Sequence, residues 1–378
     1  MSVVRRQTRR RWGVVVALVA ALSAAPAAVT AIRAHLGAPA ASAAPPEELL
    51  ARALAAGDVP HAAVAESRGA LGLPDLPGFD GVAALLGGTT RTRVWWAGPE
   101  DWRVDVLTGT GEVGDYAAPG VLATWDYEAD TLTVAIGTPQ VRLPRAVDLL
   151  PPRVVGRFLG DLGPDDDVSA LPDRLVAGRP AAGFRVRPGD PRSSVRAVDV
   201  WVHADGLPVA VRILDRSGVA VLTSRYLDVD RGRPAAQLLR RPALAGAERV
   251  VGRVPDVASR IDALSVWQLP GSLAGLPAAT RPVAGTATYG GGLTRFAVLP
   301  LPPGLAWRVI VDARRGGGVA LPVEDGEAVL LRRSVLAAVA VRASDGVHAY
   351  VLAGTVTPDL LREAVEDLLR SPPPWRGP

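Results

Sequence analysis

The stretch Thr90–Val106, TRTRVWWAGPEDWRVDV, decides the fold class of this 378-residue chain. Apolar or hydroxyl side chains alternate with arginines up to Trp96, and a similar alternation resumes at Trp102. The segment Gly98–Asp101 between them contains the glycine, proline and acidic residues that are typical of a tight turn. Alternation with a period of two on both sides of a short turn predicts a hairpin of two antiparallel strands.

The same kind of pattern continues along the chain after this hairpin. Alternating runs predict further strands at Val121–Tyr127, Leu132–Ile136, Phe184–Arg187, Val198–His203, Val209–Ile213 and Val219–Asp228. A short helix is predicted at Glu47–Ala56, because acidic residues begin it and a glycine follows it. The region 146–175 is predicted to be helical or irregular. Together these elements predict an antiparallel meander with one large face rich in aromatic residues.

The last third of the chain, about residues 246–369, has its own pattern. Strands are predicted at Leu293–Leu299, Trp307–Val311 and Val347–Leu352, with a hairpin tip at Gly316–Gly318. A helix is predicted to begin at Thr357 and Pro358, since threonine is a good N-cap and proline fits the first helical position. The segment Arg231–Ala245, rich in arginine, proline and alanine, is the predicted boundary between two domains.

The first 33 residues form a separate leader. Five of the first eleven residues are arginines, and an uncharged run of 21 residues follows them. Such a run is long enough for a helix of ~30 Å, which spans the hydrocarbon core of a bilayer. It also fits a cleaved signal peptide with an apolar segment at Gly13–Ala25, and both alternatives stay open. Both place the rest of the chain outside the cytoplasm, after an alanine- and proline-rich linker at 34–46. The leader residues singled out are Arg9, Arg10, Arg11, Trp12, Val19 and Ile32.

Composition excludes several classes of function. The chain has no cysteine and no lysine, so disulfides, thiolate metal sites and Schiff-base chemistry are excluded. From Ala34 onward, 36 arginines face 38 acidic residues, so the excess of positive charge belongs to the leader. The body therefore has no overall basic character that would favour nucleic acid as a partner.

Motifs for catalysis or metal binding are weak. The segment Gly109–Gly114 matches G-x-G-x-x-G, but a strand pattern follows it instead of a helix, so we interpret it as a flexible hairpin loop. The four histidines lack metal-ligand spacing, and no G-x-S-x-G is present. The cluster Asp165–Asp167 is interpreted as the acidic start of a helix. We therefore predict no catalytic, metal-binding or cofactor-binding residues, and a protein that is not an enzyme.

The aromatic residues of the predicted sheet allow two interpretations. They can be ordinary core, covered by a helix, or they can line a concave apolar surface that holds an acyl chain or a hydrophobic peptide. The second interpretation leads to a candidate ligand surface of seven residues: Val94, Trp96, Trp102, Val104, Trp125, Tyr127 and Trp201.

The order of several segments resembles one family. These segments are PPEELLARAL, RTRVWWAGPEDWRVDVL, VLATWDYEADTLTV, VAGRPAAGFRVRP and VDVWVHADGLPVAVRILD. They resemble the exported RseB/MucB-type sigma-E regulatory proteins and their LolA-like, lipoprotein-carrier relatives, in the variety of high-GC Gram-positive bacteria. The resemblance covers roughly residues 46–230 and contains no catalytic motif.

This resemblance implies an α+β fold. It implies a large antiparallel half-open β-barrel at 47–232, with helices that plug its concave side. A smaller C-terminal α/β domain would occupy 244–370, followed by a tail at 371–378.

The resemblance also implies a function. RseB-type members are non-enzymatic and bind the ectodomain of a membrane anti-sigma factor, and the chain would sense a lipid or another hydrophobic ligand in envelope-stress signalling. The alternative is a carrier of lipids or lipoproteins of the LolA type. Both imply a location outside the cytoplasm, with the N-terminus as the membrane contact if the leader is not cleaved.

Overall fold

A computed structural model describes residues 44–72, 80–109, 111–137, 143–241, 248–253, 267–279 and 286–374. The leader, with its alternative as anchor or signal peptide, and most of the linker lie outside these described residues. Among the described helices, none is long and apolar enough to cross a membrane.

A sheet of twelve strands forms the larger, N-terminal unit. Its strands are β1 (His61–Gly69), β2 (Thr89–Gly98), β3 (Asp101–Leu107), β4 (Glu112–Ala118), β5 (Val121–Asp126), β6 (Thr131–Ile136), β7 (Asp167–Val176), β8 (Arg179–Arg187), β9 (Val195–Val202), β10 (Pro208–Asp215), β11 (Ala220–Arg231) and β12 (Glu248–Arg253). Their order in the sheet is β12-β6-β5-β4-β3-β2-β1-β11-β10-β9-β8-β7. Strands that are adjacent in this order pair antiparallel, except that β12 pairs in parallel with β6.

This sheet is open, because β7 and β12 lie at its two edges. The antiparallel meander predicted from the hairpin at Thr90–Val106 is confirmed, and β2 and β3 pair with Val94 opposite Val104. The sequence resemblance implied a half-open barrel, and a sheet with two free edges is consistent with that more specific prediction.

Helices cover one face of the sheet, which we call the helix face; the opposite face is the outer face. The helices of this unit are α1 (Pro46–Ala55), α2 (Asp80–Gly87), α3 (Pro151–Leu159) and the short α4 (Ala236–Leu239), with 3-10 turns at Ala56–Asp58 and Ala146–Leu149. α1 begins with proline and two glutamates, as favoured at a helix N-terminus, and it buries Leu49 and Ala53. α3 also begins with proline and buries Val154, Val155 and Leu159. These side chains pack against inward-facing valines of β8–β10 in one hydrophobic core.

The C-terminal unit has its own sheet and helices. A small pair is formed by β13 (Ser272–Leu273) and β14 (Leu276–Pro277), and the main sheet contains β15 (Ala287–Gly291), β16 (Thr294–Pro300), β17 (Val319–Leu321), β18 (Gly326–Arg333), β19 (Leu336–Ala343) and β20 (Ala349–Gly354). Its helices are α5 (Pro303–Arg315) and α6 (Pro358–Arg370). α6 buries one complete apolar face against this sheet. The predicted helix start at Thr357 and Pro358 is confirmed, with Thr357 as N-cap residue.

The two units are joined by buried hydrogen bonds. The Ser193 hydroxyl donates to the carbonyl oxygen of Leu293 over 2.7 Å, and the amide of Thr357 donates to the carbonyl of Arg192 over 2.8 Å. Ser194 donates to the carbonyl of Val335. Leu293 and Val335 also belong to the same core as α1 and α3, so the C-terminal unit packs directly on the N-terminal one. The domain boundary at Arg231–Ala245 stays a prediction.

Several local predictions are wrong. Trp307–Val311 is the middle of helix α5 instead of a strand, and Gly316–Gly318 follows the end of that helix. The segment Gly109–Gly114 is not a loop throughout, because β4 begins at Glu112. Asp165–Asp167 lead into strand β7 and do not begin a helix, so the region 146–175 is not helical or irregular throughout as predicted. The Asp166 carboxylate accepts hydrogen bonds from the amides of Gly163 and Gly189, which gives it a role in the loop.

Candidate functional site

Two tryptophans from the hairpin that decided the fold class stack on the helix face. The rings of Trp96 and Trp102 lie 6.2 Å apart at 9° to one another, and both are buried. The indole nitrogen of Trp96 donates to the carbonyl of Gly57, and that of Trp102 donates to the carbonyl of Pro99. Since both polar groups are satisfied within the protein, these rings are packed as core.

His61 extends this aromatic group. Its Nδ1–H donates to the carbonyl of Val59 over 2.8 Å, so Nε2 is the acceptor from the Tyr226 hydroxyl at 2.9 Å. The His61 ring stacks on Trp96 with centroids 6.5 Å apart. Burial lowers the pKa of His61, so the ring is neutral. With both nitrogens already bonded, it is not placed to act as a general base.

His203 is held in the same way. Its Nε2–H donates to the carbonyl of Val176 over 3.1 Å, and its Nδ1 accepts from Arg231 over 2.9 Å. Burial lowers the pKa of His203 as well.

The stability of the protein should therefore decrease in mild acid. Because the folded-state pKa of both histidines lies below the ordinary value of about 6.5, the unfolded chain binds more protons as the pH falls. Their stabilising contribution is complete above about pH 6.5 and is lost below it. Urea unfolding between about pH 7.5 and 5.5 should show a falling free energy of unfolding, with a smaller slope in His61→Gln. A free energy that stays constant or rises toward acid would contradict this assignment.

The seven residues of the candidate ligand surface do not lie together. Four of them are adjacent and buried on the helix face: Val94, Trp96, Trp102 and Val104. Trp125 pairs with Gly114 and lies on the outer face with Tyr116 and Val134. Trp201 pairs with Gly183, also on the outer face. Tyr127 follows β5 and is 64% exposed.

The helix face is filled by the protein itself. Leu150, Pro152 and Arg153, at the start of α3, cover Trp96, and the guanidinium of Arg153 lies 5.7 Å from its ring. The space left between them and Tyr226 is about 10 Å³. That is about the volume one water needs, so no acyl chain fits there in this conformation.

A groove lies where the C-terminal unit meets α3. Its volume is about 780 Å³, within the range of ligand-binding clefts. Its walls come from α3 on one side and from β16 and β20 on the other. The lining residues include Leu54, Arg153, Arg157, Phe158, Arg295, Ala297, Gly354 and Thr355.

Three arginines give this groove a positive charge. Arg153 and Arg157 are one helical turn apart on α3 and so share a face, and Arg295 on β16 donates to the carbonyl oxygen of Arg157. Burial and the neighbouring Arg157 lower the pKa of Arg295. Among the described residues, none of the three has a carboxylate within ion-pair distance, and Asp148 is the only acidic residue of the lining. The groove is therefore suited to an acidic ligand.

A second, more apolar pocket lies between α2 and strands β2–β4. Its volume is about 620 Å³, and Leu85, Val106 and Val113 contribute to its walls. At its edge, the carboxylate of Asp115 accepts from Arg145 over 2.9 Å and from the Thr124 hydroxyl over 2.6 Å. We call it the rim pocket.

No metal centre is formed within the described ranges, since no three His, Asp or Glu side chains converge there. The arginines of the groove were not predicted from the sequence. The four-residue spacing of Arg153 and Arg157 weakly indicates that they share a helix face. No sequence pattern connects Arg295 with them, because they are more than a hundred residues away along the chain.

Comparisons with known proteins give structural similarities only. No protein-family model matches the chain, and no curated protein matches it. The similar solved structures include the complex of Pseudomonas aeruginosa MucA and MucB, at 17% identity and a TM-score of 0.46, covering 84% of this chain and 96% of that one. MucB in complex with MucA(peri) has 18% identity and a TM-score of 0.44, with coverage of 84% and 96%. A LolA superfamily protein from Nitrosomonas europaea has 14% identity and a TM-score of 0.23, covering 53% of this chain and 100% of that one.

These similar solved structures are thus MucB and LolA superfamily proteins, the two kinds of protein named by the sequence resemblance. The assignment to a high-GC Gram-positive variety stays a prediction. Similarities of this size do not determine what this chain binds, so its function has to be argued from its own surfaces.

Proposed function

We propose that the chain is an exported, non-enzymatic regulatory binding protein that holds an acidic segment of a membrane anti-sigma factor's ectodomain in the groove between its two units. The partner class comes from the sequence resemblance. The observation that carries the proposal is the groove itself, which has walls from both units and three arginines without a carboxylate partner among the described residues. The Arg-rich leader predicted from the sequence supports a location beyond the membrane, where that ectodomain would lie.

The shape of the groove favours an extended polypeptide. Ala297, Gly354 and Thr355 are small residues on its floor, so a chain can approach the ends of β16 and β20 closely. Arginine forms charge-assisted hydrogen bonds with carboxylates and so provides affinity for aspartate or glutamate side chains. Because the groove needs both units, its width depends on how the C-terminal unit packs on α3. This gives the protein a means of regulating its partner.

The rim pocket is the candidate site for a lipid or hydrophobic ligand. It opens beside α2 and is walled mainly by aliphatic side chains. The rim pocket also supports the alternative function, a lipid or lipoprotein carrier. A carrier must hold a removable acyl ligand, and this pocket is the candidate place for one. The closed helix face argues against a carrier that holds its cargo beneath α3.

Native mass spectrometry separates these two functions. The full chain is purified from its own cell envelope and weighed before and after solvent extraction. For a regulator we expect the mass of the polypeptide without a stoichiometric lipid. A bound acyl compound present in one copy per chain, together with no measurable affinity for the anti-sigma ectodomain, would overturn the regulatory proposal in favour of the carrier. Val113→Trp, which fills the rim pocket, would then remove that compound only if the pocket holds it.

A further inference from the structure

The outer face of the large sheet carries a block of arginines that lies apart from the groove. It consists of two neighbouring rows of side chains across β8, β9, β10, β11, β1 and β2. The first row contains Arg185, Asp199, Arg212, Thr223, Arg68 and Thr89. The second contains Gly183, Trp201, Ala210, Arg225, Glu66 and Arg91. We call these twelve positions the arginine block.

The first centre of the arginine block is Glu66. Arg68, Arg91 and Arg225 all contact its carboxylate, at 3.0 to 3.1 Å. The Glu66 side chain is only 3% exposed, whereas those of the three arginines are 62%, 62% and 50% exposed. The guanidiniums lower the pKa of Glu66 against the effect of burial, so the carboxylate is charged. One buried acid therefore holds three exposed cations in place.

The second centre is Asp199, which is fully buried. Arg185 bonds it through two nitrogens, and Arg212 bonds it over 2.7 Å. Next to it, Trp201 lies beneath Arg212 and beneath Arg174 of β7, whose guanidinium is 3.7 Å from the ring. The block thus contains five arginines against two carboxylates, and Arg174 adds a sixth cation.

The excess of positive charge ends at the block. In the next two rows on the outer face, Arg93 and Arg103 meet Asp105, Asp228 and Asp230. The block spans five interstrand spacings, or about 24 Å, and its five arginines come from five different strands. Leu227, which lies two residues beyond Arg225 on β11, is 39% exposed beside it.

We propose that the arginine block is a docking surface for the phosphate headgroups of an anionic phospholipid membrane. Arginines that are already oriented by buried carboxylates keep free N–H groups for phosphate, which guanidinium binds well. Because the arginines are spread over five strands, they can contact several headgroups of a planar phosphate array at once. The predicted membrane leader ends about a dozen residues before the first described residue, which brings the body within ~40 Å of the bilayer. This inference does not depend on the groove binding an anti-sigma factor.

The absence of cysteine makes a direct test simple. A fluorophore is attached to Leu227→Cys in the full chain, and quenching by headgroup-spin-labelled phosphatidylcholine is measured on vesicles. The vesicles contain either phosphatidylcholine alone or equal parts of phosphatidylcholine and phosphatidylglycerol. Val347→Cys, at an exposed position of the C-terminal unit, is the matched label control. We expect quenching at position 227 with phosphatidylglycerol, little without it, and little at position 347 on either membrane.

Charge variants identify the groups responsible. The combination Arg68→Gln, Arg91→Gln, Arg225→Gln and Glu66→Gln removes two net charges without leaving Glu66 unpaired. It should lower the ratio of docked to undocked protein by about 30-fold, since each basic residue near an anionic surface contributes about a factor of five. Arg91→Gln alone keeps two partners for Glu66 and should lower the ratio about five-fold. The control Arg308→Gln, Arg315→Gln and Arg332→Gln on the C-terminal unit should leave it unchanged.

Three outcomes would overturn the proposal. The first is equal quenching at position 227 on both membranes, or an equal decrease in docking for the variants of the arginine block and for the control variant. The second is loss of quenching with millimolar inorganic phosphate while polyglutamate has no effect, which would indicate a site for free phosphate. The third is binding of polyglutamate through the same arginines without any dependence on phosphatidylglycerol, which would assign the block to an acidic polypeptide.

Discussion

Replacing Trp96 by alanine should lower the free energy of unfolding by about 3–5 kcal/mol, the range for deleting a large buried aromatic side chain. Trp96 is buried between Trp102, His61 and the start of α3, and its indole N–H has a partner in the carbonyl of Gly57. The substitution therefore opens a cavity and leaves that carbonyl without its donor. Chemical denaturation monitored by circular dichroism measures the change.

Tyr127→Ala is the matched control, because it removes another aromatic ring of the same candidate surface from an exposed position. Its effect should stay within about 0.5 kcal/mol. If Trp96 instead lined an open ligand cavity, its removal would cost little stability and would weaken a hydrophobic ligand. A loss below about 1 kcal/mol for Trp96→Ala would contradict the packed helix face.

Reversing the charge of the groove should abolish binding of the partner. We expect Arg157→Glu with Arg295→Glu to weaken binding of the anti-sigma ectodomain by at least about 100-fold, because each lost charge contact in a partly buried interface costs about 2–5 kcal/mol. Both side chains line the groove, and neither has an ion-pair partner among the described residues, so the change breaks no ion pair and removes one hydrogen bond, from Arg295 to the carbonyl of Arg157. Calorimetric titration of the ectodomain measures the affinity, and the thermal midpoint checks folding.

The control for this pair is Arg308→Glu with Arg315→Glu on α5. It changes the net charge of the protein by the same amount, at exposed positions that do not line the groove. Its effect on affinity should be several-fold at most and should vanish at high salt. Equal losses of affinity for the two double variants would indicate that the overall charge of the protein attracts the ectodomain. No loss of affinity for the groove variant would exclude the groove as the binding site.

Alternation in the sequence predicted most of the large sheet, because strands with one buried face impose a period of two. β2, β3 and β8–β11 follow it closely. β4 was missed because Gly114, Asp115 and Tyr116 interrupt the alternation: Asp115 is a buried polar residue bonded to Arg145, and Tyr116 lies beside a glycine. α5 was missed because the β-branched run at 309–311 favours a strand locally. In α5, Ala306 and Ile310 are both buried. They are four residues apart, which is the spacing of one face of a helix, and this spacing outweighs the local preference for a strand.

The placement of the aromatic residues could be predicted only in part. Alternation shows which residues of one strand share a face, but pairing register determines how faces of different strands align. Trp125 and Trp201 both lie on the outer face and pair with a glycine, Gly114 and Gly183. An additional Cβ at Gly183 would come within 2.8 Å of the Trp201 ring nitrogen. The groove could not be predicted, since its walls combine residues from Leu54 to Thr355.

Site-specific photo-crosslinking shows whether the anti-sigma ectodomain binds in the groove. A benzophenone side chain is placed at Ala297, an exposed position on the floor of the groove, and separately at Val347, an exposed position outside it. The full chain is then irradiated with the purified anti-sigma ectodomain. The account predicts a strong crosslink from position 297 to an acidic segment of the ectodomain and little from position 347. Binding of the ectodomain without a crosslink from position 297, or with an equal one from position 347, would contradict it.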